Sequence, residues 1–355
     1  MNLPSFGSEK PWCGPRLLAF VLAGAWGAVT QAATLCVFDP IGTAGDIHNL
    51  SRDYVVAMQR SGVDFTTKTY VNEPAAVDDF RSGQCDALFA TAFRVREFNP
   101  LSASTDTLGS TSVVRNGRID MDSSYAVMRK LVQVFAAQSP KVTELMSHGT
   151  HEVVGIFPLG AAYPVVRQRN MNSIEAMRGK RIAALGHDAA QAQFIRRIQA
   201  TPVTSDVNNL ARRFASGEVD VIAIPAMGYK PLGIDQAMAG KGGMLRMPLM
   251  IITFQMVVHR DRFSTTFPQA SRDFWLSQFD RGLQIIRKAE ADIPLASWID
   301  LSPEDAVRYT HMLRDARLDM AQQGVYNKRG LKIIKRIRCK VNADDKECTL
   351  RTIEG

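Results

Sequence analysis

Two rhythms alternate along this chain: short runs in which nearly every residue is apolar, and longer stretches in which apolar residues return every three or four positions. Residues 34–38 form the first short run and predict a buried strand. Leu50, Tyr54, Val55 and Met58 then carry helical spacing. Residues 65–70 alternate in character and predict a second strand. Residues 73–82 predict a second helix with Ala75, Ala76 and Phe80 inward, and residues 85–89 a third strand. Strand and helix in strict alternation predict a parallel sheet covered on both faces.

The stretch 152–232 repeats the scheme. An apolar run at 153–158 leads to a short strand at 180–185, a helix marked by Ala189, Ala192, Phe194, Ile195 and Ile198, a second helical segment at 207–216, and an apolar strand at 219–225. Parallel strands joined through helices collect ligands at their carboxyl ends. Those ends are Gly186-His187-Asp188 and Pro225-Ala226-Met227-Gly228-Tyr229, loops expected to face one cleft. Residues 243–258 are almost continuously apolar and read as one long strand, or two joined at Pro248. Three helices follow, at 269–291, 303–323 and 328–338. The last sets Leu331, Ile334 and Ile337 against Lys332, Lys335 and Arg336, and its expected place is on the first lobe rather than on anionic lipid.

The start of the chain follows neither rhythm. Lys10 and Arg16 precede an apolar run at 17–29 that is too short to span a bilayer, and Thr30-Gln31-Ala32-Ala33 has the small residues of a signal peptidase site. Residues 1–33 are therefore expected to be a cleaved signal peptide and the mature chain to be periplasmic. Cys13 precedes the run, so it cannot carry lipid at a new N-terminus. Cleavage leaves about 320 residues, enough for two lobes with cores of their own. It changes the formal charge from +8 to +7, a modest and dispersed surplus that points away from nucleic acid. No apolar run in the mature chain approaches the length of a membrane span.

Cys36, Cys85, Cys339 and Cys348 remain, an even number in an exported chain, which permits three pairings. Cys36 and Cys85 lie in strands of one half, and Cys339 and Cys348 bracket a short polar segment. The economical pairing is Cys36 with Cys85 and Cys339 with Cys348. Neither pair has zinc-knuckle spacing, so no metal is expected. His151-Glu152-Val153-Val154-Gly155 puts glycine where a zinc-protease helix needs its second histidine, and no Gly-x-Ser-x-Gly elbow occurs. No catalytic residue and no cofactor are assigned.

Binding chemistry is easier to place. Asp39-Pro40-Ile41-Gly42-Thr43-Ala44-Gly45-Asp46 joins the first strand to its helix. Its glycines let backbone approach an anion or polar group, although its spacing is no nucleotide fingerprint. Arg94 and Arg96 follow the third strand, and an arginine there can hold a carboxylate through two hydrogen bonds. Arg94 is the stronger candidate.

The runs Leu35-Cys36-Val37-Phe38-Asp39-Pro40-Ile41-Gly42-Thr43, Asp79-Phe80-Arg81-Ser82-Gly83-Gln84-Cys85-Asp86-Ala87 and Pro158-Leu159-Gly160-Ala161-Ala162-Tyr163 resemble the AdeT-like family of periplasmic solute-binding proteins. Val325-Tyr326-Asn327-Lys328 and Arg338-Cys339-Lys340 do so as well. Members are often labelled as related to RND-type efflux. More distantly the central stretch is similar to binding subunits of TRAP-type (DctP-like) transporters. Their pattern places a ligand-clamping arginine where this chain has Ala183, and an asparagine where it has Ile224-Pro225. Arg169, upstream, occupies a plausible second-arginine position.

The resemblance implies a two-lobed α/β fold of the type II periplasmic binding protein kind, with the ligand cleft between lobes, crossover strands, and long C-terminal helices. The expected division is lobe 1 at 34–152, a hinge crossover at 153–170, lobe 2 at 171–242, a return crossover at 243–258, and C-terminal helices at 259–355 packing on lobe 1. The expected function is capture of a small solute, with anions in view, for an inner-membrane transporter, and not enzymatic. Asp39, Thr43, Arg94, Tyr163, Arg169, His187 and Tyr229 are the candidate contacts. The alternative is an accessory protein of an efflux system acting through protein contacts, although no sustained heptad run of the adaptor kind is visible.

Overall fold

Strand β1 (Ala33–Phe38) is followed by α1 (Asp46–Gln59), β2 (Phe65–Tyr70), α2 (Glu73–Arg81) and β3 (Ala87–Thr91). β1 pairs in parallel with β2 on one side and β3 on the other, as the alternation predicts. The computed structural model describes residue 7 and residues 32–355, except 116, 117, 239, 353 and 355, so the expected leader lies almost wholly outside the described residues. Helix α1 buries Leu50, Tyr54 and Met58 but only half buries Val55. Helix α2 starts where it does because the Asn72 side chain accepts from the Ala75 amide and Pro74 occupies the first turn.

Short α3 (Ala92–Val95), the hairpin β4 (Val113–Arg115) and β5 (Arg118–Asp120), α4 (Met121–Ala136), α5 (Pro140–Met146) and β6 (Ser147–His148) lead to the long strand β7 (His151–Val166). Next come β8 (Arg181–Leu185), α6 (Ala189–Arg197), β9 (Thr201–Ser205), α7 (Leu210–Ser216), β10 (Val221–Pro225) and α8 (Ile234–Met238). β8 pairs in parallel with both β9 and β10, so the single βαβ unit expected here is two crossovers with an additional strand, β9, between them.

The apolar run at 243–258 divides at Pro248 into β11 (Gly243–Leu245) and β12 (Met250–His259). The helix expected at 269–291 also divides, at Gln278, into α9 (Phe267–Ser277) and α10 (Phe279–Ala291). β13 (Trp298–Ile299), α11 (Pro303–Gln322) and α12 (Lys328–Val341) complete the order.

One sheet runs β2-β1-β3-β12-β7-β10-β8-β9. β12 is antiparallel to both β3 and β7, and β7 is antiparallel to β10, so two long antiparallel strands join two parallel ends. Their pairing slips between Ile252 and Thr253, where Leu159 is the extra residue and Gly160 takes φ +107°, a value that suits glycine.

Helix α12 packs inward as expected, with one correction. Lys335, expected on its solvent face, is buried, and its Nζ donates to the Leu350 carbonyl at 2.6 Å. Beside it Arg338 donates to Ser110 O at 2.7 Å and to Glu347 at 2.5 Å. Arg317 donates to Leu108 O at 2.7 Å, Glu347 at 2.9 Å and Glu354 at 2.6 Å. Burial pushes the Glu347 carboxyl up, but the two arginines outweigh it and hold it below the ordinary value. Disulfides join Cys36 to Cys85 and Cys339 to Cys348, with Cα–Cα distances of 5.9 and 5.6 Å. No helix among the described residues is long and apolar enough to cross a membrane.

Candidate functional site

The carboxyl ends of β1, β3, β8 and β10 converge on a cavity of about 230 Å³. The β1 end supplies Phe38, Asp39 and Ile41, and the β10 end Pro225 and Met227. Ala162 and Pro164 of β7 and Ile252 and Phe254 of β12 form the floor, and Tyr309 and Met312 of α11 close it together with Tyr326.

Pairing explains which residues face in. Val166, Pro164 and Ala162 lie opposite Val221, Ala223 and Pro225, and successive side chains of a strand point to opposite faces. Val165 and Tyr163, between them on β7, therefore turn away into a second core that also holds Tyr229 and Trp298, while their partners Ile222 and Ile224 belong to that core and also border the cavity.

Of the seven candidate contacts, Asp39 is in the wall. Its carboxylate is occupied, accepting from the Ile41 and His48 amides at 2.9 Å each. Gly45 permits this approach, since a Cβ there would lie 2.1 Å from the carboxylate oxygens. Thr43 is exposed and outside the wall. Tyr163 donates to Glu290 at 2.8 Å, Tyr229 meets Ser297 Oγ at 3.2 Å, and Arg169 donates to the carbonyls of Ala296 and Trp298 at 2.8 Å. These three gather on the far side of the sheet from the cavity, around the β13 segment.

Arg94 and His187 meet in a polar cluster that also contains Arg96, Glu73 and Asp188. Burial, with Arg94 and Arg96 close by, pushes His187 down to about 3, so it is a neutral imidazole, and both its ring nitrogens are buried without partners. Burial pushes the Glu73 carboxyl up to about 7 even though the Thr91 amide and hydroxyl donate to it at 2.9 and 2.7 Å. Arg94 Nε lies 3.8 Å from its other oxygen.

Sequence reasoning ranked Arg96 below Arg94, yet Arg96 makes the bridge across the molecule. It reaches Asp188 at 3.1 Å, and Asp188 caps α6 by accepting from the Ala190 and Gln191 amides. An aspartate directly before an alanine-rich helix was the available signal for that cap. The wall itself, among the described residues, contains no arginine, lysine or histidine; its charged groups are Asp39 and Asp46. Ala183, at the clamp position of the TRAP-type pattern, is part of it.

The profile of a family described as "Solute-binding protein AdeT 1/2" matches residues 57–353. This chain belongs to that family. It is 31% identical over 314 residues to "Probable solute-binding protein AdeT1" of Acinetobacter baumannii, covering 88% of this chain and 99% of that protein. Against "Probable solute-binding protein AdeT2" of the same organism it is 22% identical over 232 residues, covering 65% and 94%. Among solved structures, a TRAP periplasmic solute-binding protein from Desulfovibrio salexigens with bound orotic acid superposes with TM-score 0.69 at 11% identity, covering 87% of this chain and 99% of that one. One from Chromohalobacter salexigens with bound D-glucuronate gives 0.64 at 12%, covering 88% and 99%. Such likeness shows the fold: two lobes, with the cleft between them.

Proposed function

We propose that this protein captures a small solute in the cavity between its lobes and hands it, unaltered, to a membrane transport system from the periplasm. The observation that carries this reading is the cavity itself, placed where the carboxyl ends of strands from both ends of the sheet converge. Membership of a solute-binding family supports it. In this reading lobe 1 comprises 34–152 with the helices of 259–355, lobe 2 comprises 171–242, and the crossovers at 153–170 and 243–258 bend as the lobes close.

A thermal titration of the mature chain with a panel of dicarboxylates, amino acids, sugars, alcohols and cationic drugs tests this. A captured solute raises the melting temperature progressively with concentration, worth about 2.7 kcal/mol at a hundredfold excess over Kd. Ala223→Phe, which fills the cavity, removes that rise. A panel that leaves the melting temperature unmoved throughout would refute capture.

A further inference from the structure

Resting on that assignment of the cavity as the solute site, we infer that the solute is hydrophobic: its buried part is hydrocarbon or aromatic, and its polar contact is one neutral oxygen meeting the Tyr309 hydroxyl. The wall is built mainly of aliphatic and aromatic side chains, and among the described residues it holds no cation. Of its neutral polar members, Thr91 donates to Glu73, Ser173 and Gln191 accept from the Ala176 and Leu185 amides, and Asn172 is exposed. A carboxylate entering it would lose its water with no donor of opposite charge to replace it, beside the acidic Asp39. Each oxygen of Asp39 already accepts a backbone amide at 2.9 Å, which turns the carboxylate toward its own loop.

The cations nearest the site lie outside its wall. Arg96 pairs with Asp188 at 3.1 Å, and Arg94, its Nε without a hydrogen-bond partner, faces Glu73 at 3.8 Å. Tyr309 is a wall residue, 6% exposed, whose buried hydroxyl bonds nothing. Burial pushes its pKa up, so it remains a neutral phenol. A solute carbonyl or hydroxyl that reached it would satisfy the one group that folding leaves unmatched in α11's contribution to this wall.

Binding should therefore follow apolar size. Each methylene added within the cavity strengthens association about fourfold. Calorimetric titration of the mature protein with hexanol, octanol and decanol is expected to show that progression, flattening once about 230 Å³ is filled. Octanoate is expected to bind at least tenfold more weakly than octanol, and malonate and D-glucuronate not at all. Tyr309→Phe is expected to weaken octanol about fivefold, the worth of one neutral hydrogen bond, and to leave ethylbenzene unchanged. Ala223→Glu, which puts a carboxylate in the wall, abolishes alcohol binding. Should that variant not fold, Ala223→Leu reads the same wall by shortening the longest alcohol accepted.

Saturable binding of malonate or glucuronate without the alcohols would overturn the hydrophobic assignment and leave solute capture standing, as would octanoate matching octanol. An unchanged octanol affinity in Tyr309→Phe would remove the hydroxyl contact. If no compound of either kind binds, capture in this cavity is itself wrong.

Discussion

Two seams hold this molecule together, and they are made of opposite materials. Between the lobes lies an apolar cavity, bridged by the part-buried pair Arg96–Asp188 at 3.1 Å. Where the C-terminal helices meet the first lobe, Arg317 and Arg338 are each 1% exposed and donate to two carbonyls and to the carboxylates of Glu347 and Glu354. The difference is one of reversibility. Apolar walls and a few ion pairs at least partly open to solvent, Arg96–Asp188 with Arg197–Asp319 and Arg308–Glu175, can part and refill with water, whereas a buried charge separated from its partners carries a large desolvation cost. In the capture cycle proposed above, the seam at the C-terminal helices stays shut and the one at the cavity opens.

The sharpest way to break this comparison is at the fastened seam. Arg338→Ala leaves Glu347 with half its cationic partners and the Ser110 carbonyl without its donor, and is expected to cost about 3–5 kcal/mol by urea unfolding. A loss under 1 kcal/mol would mean that the seam is not held by charge. At the latch the expected effect is smaller and different in kind. Asp188→Ala removes both the ion pair and the α6 cap, for about 2 kcal/mol, and should raise the radius of gyration in solution scattering. Asp188→Asn keeps the cap and isolates the pair. An unchanged radius in both variants would show that the pair does not hold the lobes.

The smallest effect concerns Glu73, below the latch. Its folded pKa of about 7 exceeds the model-peptide value of 4.5. Between those values the folded chain keeps a proton that the unfolded chain has released, so this group's stabilisation is present below 4.5 and is lost as pH rises through 7. Glu73→Gln mimics the protonated form. It is expected to gain about 1 kcal/mol on wild type at pH 8 and nothing at pH 4, read from paired denaturation curves. His187, held down to about 3, runs the other way, and its contribution is lost as pH falls from 6.5.

Most of the frame was legible in the residues. Unbroken apolar runs marked β1, β3, β7 and β10, and Pro248 marked the break before β12. β9 escaped because Thr201-Pro202-Val203-Thr204-Ser205 forms an edge strand with little to bury, where proline is tolerated. α4 carried a readable signal, with Tyr125, Met128, Leu131, Val132 and Phe135 at helical spacing behind an Asp120 cap. The site was harder to read. Polar residues draw attention as ligand contacts, yet Tyr163 and Arg169 serve the second core, and Tyr163 misses the cavity by one step of a two-residue period. Ala223, Ile252 and Met312 look alike in sequence whether they face a core or a void, so an apolar binding wall carries no mark of its own.

The slip in pairing at Leu159 has a further consequence for anyone dissecting this protein. Since β12 bonds to β3, β7 bonds to β10, and the two bond to each other along their length, severing the chain at either crossover would expose raw strand edges on both fragments. Neither half is a transplantable module, and chimeras with relatives should exchange loops around the void rather than whole lobes.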